Sequence, residues 1–326
     1  MGLLCLMWVG QTCFGCAQMA MVRCWEPATI DVAGMDRLAV VSFRGVEGEH
    51  VAAALHDRLW ENHFFALVDA SELTTLQHAA YVPDSCDQAL LAQARERGID
   101  GIIFGVVEEH RCEDTPIEKV ASGMLSAAAE HVGSAGEAAT PRGLTRHGEV
   151  VVAFQLVDAR TGEVRTESRA RHVYDETSRS AGSDLPGEEQ ILTQLTTMCL
   201  DDFVEELTPH QSELPMELAS VRWYGPQSAR IRGANRLAMQ GDWDAARDVW
   251  QEVADQNWNN DAALFNLAID AAHRQQYSRA EELAMQALKL RHTEQYADGL
   301  AQIREYRSGY DAVARQRDRR VLQASR

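Results

Sequence analysis

From Asp36 onward the apolar positions follow two rhythms, unbroken runs and every fourth residue. "RLAVVSF" (Arg37 to Phe43) is a Val-rich run without polar alternation, as in a strand covered on both faces. In "GEHVAAALHDRLWEN", Val51, Leu55 and Leu59 recur at i+4 and mark one face of a helix. "FFALVD" (Phe64 to Asp69) returns to strand. Asp69 with Glu72, and Ser85 with Gln88, have capping-box spacing, so helices are predicted to start there, and Gly98 is placed to end the second. "IDGIIFGVV" (Ile99 to Val107) predicts a third buried strand. Residues 111–147 are rich in Ala, Gly, Ser and Glu without a clean period and read as an insertion, helical in part near Ile117 to His131. Val150 to Val157 and Val164 to His172 then predict a hairpin around a turn at Asp158 to Gly162. In its second strand Val164, Thr166, Ser168, Ala170 and His172 share one face, and Arg165, Glu167, Arg169 and Arg171 share the wet one. A helix carrying Ile191, Leu195, Met198, Cys199, Phe203 and Leu207 on one stripe closes this unit near Pro209.

Three prolines (Pro209, Pro215, Pro226) give 209–227 the composition of a linker. Beyond it the sequence repeats itself. "GDWDAARDVWQEVADQNWNND" aligns with "QQYSRAEELAMQALKLRHTEQ", Trp243 on Tyr277 and Ala246 on Ala280, and 277 − 243 = 34. Antiparallel helices need small residues where they cross, here Ala234, Ala246, Ala268, Ala280 and Ala287, and large ones between, here Leu237, Trp243, Trp250, Leu264, Leu267 and Tyr277. The period resembles that of tetratricopeptide repeats, although Trp258, His292 and Arg230 depart from the family pattern. A third unit, Gln295 through Gly309, matches in part and is expected to be a capping helix. The resemblance implies a concave protein-binding face lined by Ile231, Asn235, Phe265, Asn266 and Ile269. Asn235 and Asn266 stand where some members contact a ligand; bonding to neighbouring backbone is the equal alternative. Ile231, Tyr296 and Leu300 occupy the places where carboxylate-clamping members carry basic residues, which argues against capture of a terminal carboxylate.

Composition narrows the partners. The chain has 326 residues, 45% hydrophobic and 25% charged, enough for two cores, and its net charge of -18 disfavours nucleic acid, whose phosphates need a basic footprint. Arg304 to Arg326 is basic, with seven arginines against Glu305, Asp311 and Asp318, and reads as the solvated face of a last helix. The four cysteines downstream of Cys16, namely Cys24, Cys86, Cys112 and Cys199, have no zinc-ligand spacing. His110, Cys112, Glu113 and Asp114 are close in sequence but read better as a polar loop than as a metal site. No nucleophile elbow, phosphate-cradling glycine loop or HExxH occurs, and the carboxylates of "EEH" (Glu108 to His110) and "DDF" (Asp201 to Phe203) fit a strand end and a helix face. No enzyme activity, cofactor or metal is expected.

The apolar stretch "LMWVGQTCFGC" at the amino terminus is too short for a bilayer span of roughly 20 residues and reads as a signal-peptide core. Gly15 before Cys16 resembles the lipobox of bacterial lipoproteins, which implies lipid attachment at Cys16; Cys13 stands where that family has Leu, and no Lys or Arg precedes the run.

The order strand, helix, strand, helices, strand, insertion, hairpin, helix over Asp36 to Thr208 is similar to the domain of curli-secretion (CsgG-type) lipoproteins and of the lipoprotein activators of penicillin-binding proteins. The amino-terminal domain of TolB is similar. Gly98-Ile99-Asp100-Gly101 and the Asp158/Thr161-Gly162 turn carry the resemblance most specifically. The expected fold is an α/β (α+β) domain with a mixed sheet and flanking helices, followed by an all-α tetratricopeptide-like repeat. The expected organisation is signal peptide 1–16, tether 17–35, α/β domain 36–208 with insertion 111–147, linker 209–227, and repeats with a carboxyl-terminal helix 228–326. The resemblance implies a non-catalytic protein of the bacterial cell envelope, anchored by lipid, periplasm-facing at the outer membrane, that binds a protein partner. The alternative it implies is a subunit of an oligomeric secretion or export complex. Segment 111–147 lacks the alternation and aromatic girdles of a membrane hairpin, which disfavours a pore.

Overall fold

The computed structural model describes residues 17–68, 88–116, 143–178, 184–221 and 226–324. The chain forms two compact units: one takes the described residues up to Pro27 together with His210–Arg315, the other Ala28–Pro209 together with the chain from Gln316. The helix starts expected at Asp69 and Ser85, and the helix expected near Ile117 to His131, lie outside the described residues.

In the first unit, β1 (Gln18–Glu26) opens the described chain. The second unit begins with β2 (Arg37–Val40), the two-residue β3 (Arg44–Gly45), α1 (Gly48–Asn62) and β4 (Ala66–Val68). It continues through α2 (Gln88–Glu96), β5 (Gly101–Pro116), β6 (Leu144–Asp158), β7 (Val164–Ser178) and α3 (Glu188–Leu207). The sheet runs β4-β2-β5-β6-β7, with β3 also on β5. Strands β4, β2 and β5 are parallel, and β5, β6 and β7 form an antiparallel meander, so the sheet is mixed.

Its apolar runs are explained by cover on two sides. Leu38 and Val40 of β2 join Leu55, Leu59, Phe154, Leu195 and Phe203 in the core under α1 and α3. The intervening Ala39, with Val41, Ile102, Phe104 and Val157, packs instead against Leu90, Leu91 and Ala94 of α2. Phe154 stacks on Phe203 with ring centroids 4.2 Å apart. Helix α3 buries Ile191, Leu195, Cys199, Phe203 and Leu207, a stride of four; Met198 is off that stride and is 39% exposed, a correction to the predicted stripe. The expected insertion is also shorter. Residues 111–116 continue β5 and 144–147 begin β6, because these strands of sixteen and fifteen residues pair through to Pro116↔Leu144.

The two motifs most specific to the resemblance hold backbone. Gly98 adopts φ 65 to end α2, and Asp100 Oδ2 accepts the N–H groups of Asp36 and Arg37 at 3.0 Å each, fixing the start of β2. A Cβ on Gly101 would lie 2.7 Å from Leu38 Cδ2 and 3.1 Å from Met35 Sδ, so glycine leaves room for these side chains where β5 pairs with β2. Asp158, fully buried, accepts from the N–H groups of Arg160 (2.9 Å) and Thr161 (3.2 Å) and from Arg165 (2.6 Å), and Gly162 takes φ 80 to complete the turn.

In the first unit β8 (His210–Leu218) is followed by α4 (Pro226–Met239), α5 (Trp243–Gln256), α6 (Asp261–His273), α7 (Tyr277–Leu290) and α8 (Glu294–Ala324). The 34-residue period is visible in the backbone: Gly241 (φ 86) and Gln275 (φ 62) both turn through the left-handed region, and 275 − 241 = 34. Ala246, Ala268, Ala280 and Ala287 are fully buried at the crossings, and Asp242 and Asn260 cap α5 and α6 through their side-chain oxygens. The segment expected as a capping helix, Gln295 through Gly309, lies in one helix of 31 residues that continues to Ala324. Part of its basic stripe is bonded, since Arg307 and Arg304 hold Glu281 of α7 at 2.8 and 3.4 Å.

The expected tether and linker are corrected. Gln18–Glu26 and His210–Leu218 pair antiparallel from Gln18↔Leu218 to Glu26↔His210 as a two-stranded ribbon. The reason is an alternation hidden among polar residues: Ala20, Val22, Cys24, Met216 and Leu218 face the helices and are buried, while Met19, Met21 and Arg23 face out. Pro215 is tolerated because it lies opposite Met21 in an outer strand with its carbonyl turned to Gln302.

Candidate functional site

The five residues expected to line a binding face are brought together. Ile231, Asn235, Phe265, Asn266 and Ile269 come from α4 and α6, and none is more than 1% exposed. The face they form is not open, which corrects the expectation of a free concave surface: the chain's own ribbon packs on α4 and α6. Asn266 binds both backbone groups of one residue, accepting from Ala219 N at 2.7 Å and donating to Ala219 O at 3.0 Å. Asn235 donates to the same carbonyl (3.0 Å) and to Gln18 Oε1 (2.7 Å). Its own oxygen accepts from Trp250 Nε1 (3.1 Å) and from Asn266 Nδ2 (2.8 Å). A carboxamide presents one donor edge and one acceptor, as a neighbouring strand would, so Asn266 serves Ala219 as a strand partner does. The backbone-bonding alternative for the two asparagines is thus what the geometry displays. Tyr296 and Leu300 are buried beside this face, and Phe265 stacks on Tyr296 at 4.5 Å.

A pH-sensitive contact lies at the far end of the ribbon. His273 of α6 stacks on Trp243 at 4.3 Å, and its Nδ1 accepts the backbone N–H of Arg23 at 3.3 Å. Burial, then the charges of Arg23 and Arg274, push the His273 pKa down to about 4, with Glu213 opposing. An acceptor nitrogen cannot carry a proton, so the bond exists only in the neutral ring.

The second unit contains a different kind of surface. Between α1 and α3 lies a cleft of about 920 Å³. Val51, Ala54, Leu192 and Leu200 supply apolar lining, and Glu47, His50, His110, Glu188 and Glu189 supply ionisable groups. Glu47 pairs with His50, which lowers the carboxyl pKa and raises that of the imidazole through their mutual hydrogen bond. Arg58 is engaged by Asp201. Among the described residues, Thr196 Oγ1 is a buried hydroxyl without a hydrogen-bond partner, and it borders this cleft. Nothing in the sequence marked this groove, because its walls come from helices more than a hundred residues apart.

The other candidates separate. Asp114 holds Arg146 with both oxygens at 2.6 Å, and Cys112, two residues earlier on the same face, sits at the edge of the core under α3, whereas Glu113 points to the other face beside Arg111. Among the described residues no group of three or more His, Cys, Asp or Glu could hold a metal ion. Glu108 pairs with Arg169 (2.7 Å) and Asp202 with His172 (2.8 Å), while Phe203 is core. Cys16 lies outside the described residues.

No family model matches this chain, and no curated protein matches it. Solved structures similar to it include the PelC dodecamer from Paraburkholderia phytofirmans, with 17% identity over 58% of this chain and 98% of that one and a TM-score of 0.31. Lipoprotein GNA1162 from Neisseria meningitidis has 12% identity over 52% and 97%, with a TM-score of 0.31. The LpoB carboxyl-terminal domain from Escherichia coli has 16% identity over 44% and 85%, with a TM-score of 0.25. These likenesses are too remote to assign a task.

Proposed function

We propose that this is a non-catalytic protein of the bacterial cell envelope, lipid-anchored through Cys16 at the outer membrane and facing the periplasm, that binds a protein partner. The observation that carries the binding is the cleft between α1 and α3. Its apolar lining is bordered by Glu47, Glu188 and Glu189, and of the basic groups beside them Arg58 is already paired. An amphipathic helix with basic flanks is the complementary ligand, its apolar side on Val46, Ala54 and Leu192 and its cations on Glu188 and Glu189. A catalytic role has less support, since the buried carboxylate Asp158 and the amides Asn235 and Asn266 are all engaged in fixing backbone. The tetratricopeptide character of α4–α7 and the CsgG-type character of the α/β unit belong to the same reading. They rest on the 34-residue period and on the Asp100 and Asp158 motifs.

The test uses a synthetic Leu/Lys amphipathic helix as probe. Binding that is lost in Leu192→Glu and weakened, with a shallower salt dependence, in Glu188→Lys/Glu189→Lys supports the reading; equal binding by wild type and all variants overturns it. A second reading, a subunit of an oligomeric secretion complex, is favoured by β7, a fifteen-residue strand that ends the sheet path among the described residues and can pair with another copy. A particle of many times 36.2 kDa in detergent would support it, and a monomer would remove it.

A further inference from the structure

The ribbon leaves no length for a leash. Only Ala17 separates Cys16 from β1, and two residues of chain reach at most about 7 Å. The direction of β1 is fixed by its bonds. Gln18 meets Asn235, which is bonded to Asn266 in mid-α6, whereas Arg23, five residues later, meets His273 at the carboxyl end of α6. Strand β1 therefore runs parallel to α6, and followed backwards it points to the amino-terminal end of that helix.

That end of the helical unit is tied together and has its own surface chemistry. Asn257 and Asn260, in the α5–α6 connection, both donate to Gln227 of α4. In the α7–α8 connection Arg291 pairs with Asp261 at 3.6 Å. Between the two asparagines Trp258 is 75% exposed, the most exposed large apolar side chain among the described residues, and Leu290 at the end of α7 is 40% exposed beside Lys289 and Arg291. An exposed tryptophan and leucine with flanking cations suit the headgroup layer of a bilayer, where an indole stays amphipathic and cations meet phosphate.

We infer that the α5–α6 connection and the carboxyl end of α7, through Trp258, Leu290, Lys289 and the following Arg291, form a lipid-contact surface that the acylated Cys16 holds directly against phospholipid headgroups. The helical unit is then seated on the membrane end-on. This rests on the proposed lipid attachment at Cys16. Protein partners reach it only at surfaces away from that end.

The test uses the full-length protein purified in detergent and reconstituted into phosphatidylethanolamine/phosphatidylglycerol vesicles carrying a headgroup-nitroxide lipid. Dansylalanine replaces Trp258 in one sample and Met239, the last residue of α4 at the opposite end of that helix from Gln227, in another, and acylation of each sample is read by mass. With Cys16 acylated, quenching several-fold greater at 258 than at 239 is expected, and Cys16→Ala abolishes it. Acylated protein with equal quenching, or with more at 239, overturns the inference and leaves the anchor standing. A non-acylated native Cys16 removes the anchor, and the inference with it. Lys289→Glu/Arg291→Glu on the acylated protein is expected to reduce quenching at 258; unchanged quenching overturns the role of the cations.

Discussion

Both units bury polar side chains to hold their own backbone, but the helical unit does it with neutral amides and the α/β unit with a charge. Asn235 and Asn266 are sealed under the ribbon, and each of their donors and acceptors has a partner within the protein. Asp158 is as buried as they are, yet its partner Arg165 is 35% exposed along its side chain and keeps the pair in touch with water. A neutral network can be closed completely because no ion is desolvated; a carboxylate at the same depth needs a cation and turn N–H groups to remain ionised. The contrast predicts different failures under mutation and under acid.

The largest effect is expected from Asn266→Ala. It leaves the N–H of Ala219 and one lone pair of Asn235 buried without partners and takes one of two donors from the Ala219 carbonyl, at a cost of about 3 kcal/mol. Urea unfolding followed by tryptophan fluorescence measures it; a loss no greater than an average surface mutation would mean that water replaces the amide. Asp158→Ala is expected to cost about 2 kcal/mol through the unpaired turn N–H groups, and Asp158→Asn about half of that, since an amide oxygen still serves Arg160 and Thr161. Equal losses for the two variants would assign the stability to the Arg165 ion pair instead.

Acid separates the units by window: both lose stability as the pH falls, the helical unit first. His273 has a folded pKa of about 4 against an ordinary value of 6.5, so the unfolded chain binds the extra proton between those values. The helical unit therefore loses stability as the pH falls from 6.5 towards 4. Asp270 on the same helix opposes this in part, because burial raises its pKa and its contribution improves as it protonates. For Asp158, burial alone would raise the pKa, but Arg165 and the N–H groups of Arg160 and Thr161 overcome it and the net shift is downward. Its stabilisation is complete above 3.8 and is lost only as the pH falls through the lower folded value. Thermal unfolding between pH 7 and 4, with His273→Asn as control, should show the slope in the wild type and a flatter line in the variant; parallel lines would remove His273 as the titrating group.

The smallest effect sharpens the same contrast. Gly233 lies in α4 with nothing within 4 Å of an added Cβ, so Gly233→Ala should stabilise the helical unit by about 0.5–1 kcal/mol, seen as a higher urea midpoint. Gly101→Ala in the α/β unit should destabilise instead, with Leu38 and Leu156 in the way of the methyl.

Local patterns made much of this legible. The i+4 stride of Val51, Leu55 and Leu59 placed α1, the 34-residue offset placed α5 and α7, and Gly98 and Asp158 located a helix end and a turn. Each is set by interactions within a few residues, or by a period that a helix imposes on its own sequence. The asparagines were legible as residues of one face, but what would occupy that face was not. Ala20, Val22 and Cys24 alternate correctly for a strand, yet they are small and sit between Met19, Met21 and Arg23, and their partner strand begins 184 positions later (210 − 26 = 184) beyond a proline.

By itself, then, the sequence determined α1, α3, the buried strands between them, the 34-residue repeat in the carboxyl-terminal half, and a net charge of -18. The tertiary structure decided what covers the α4–α6 face, that Gln18–Glu26 is a strand, and that α1 and α3 enclose a groove. The physical reason is that strand pairing and helix packing join residues through backbone hydrogen bonds and shape, which carry almost no signal in residue identity at such separations.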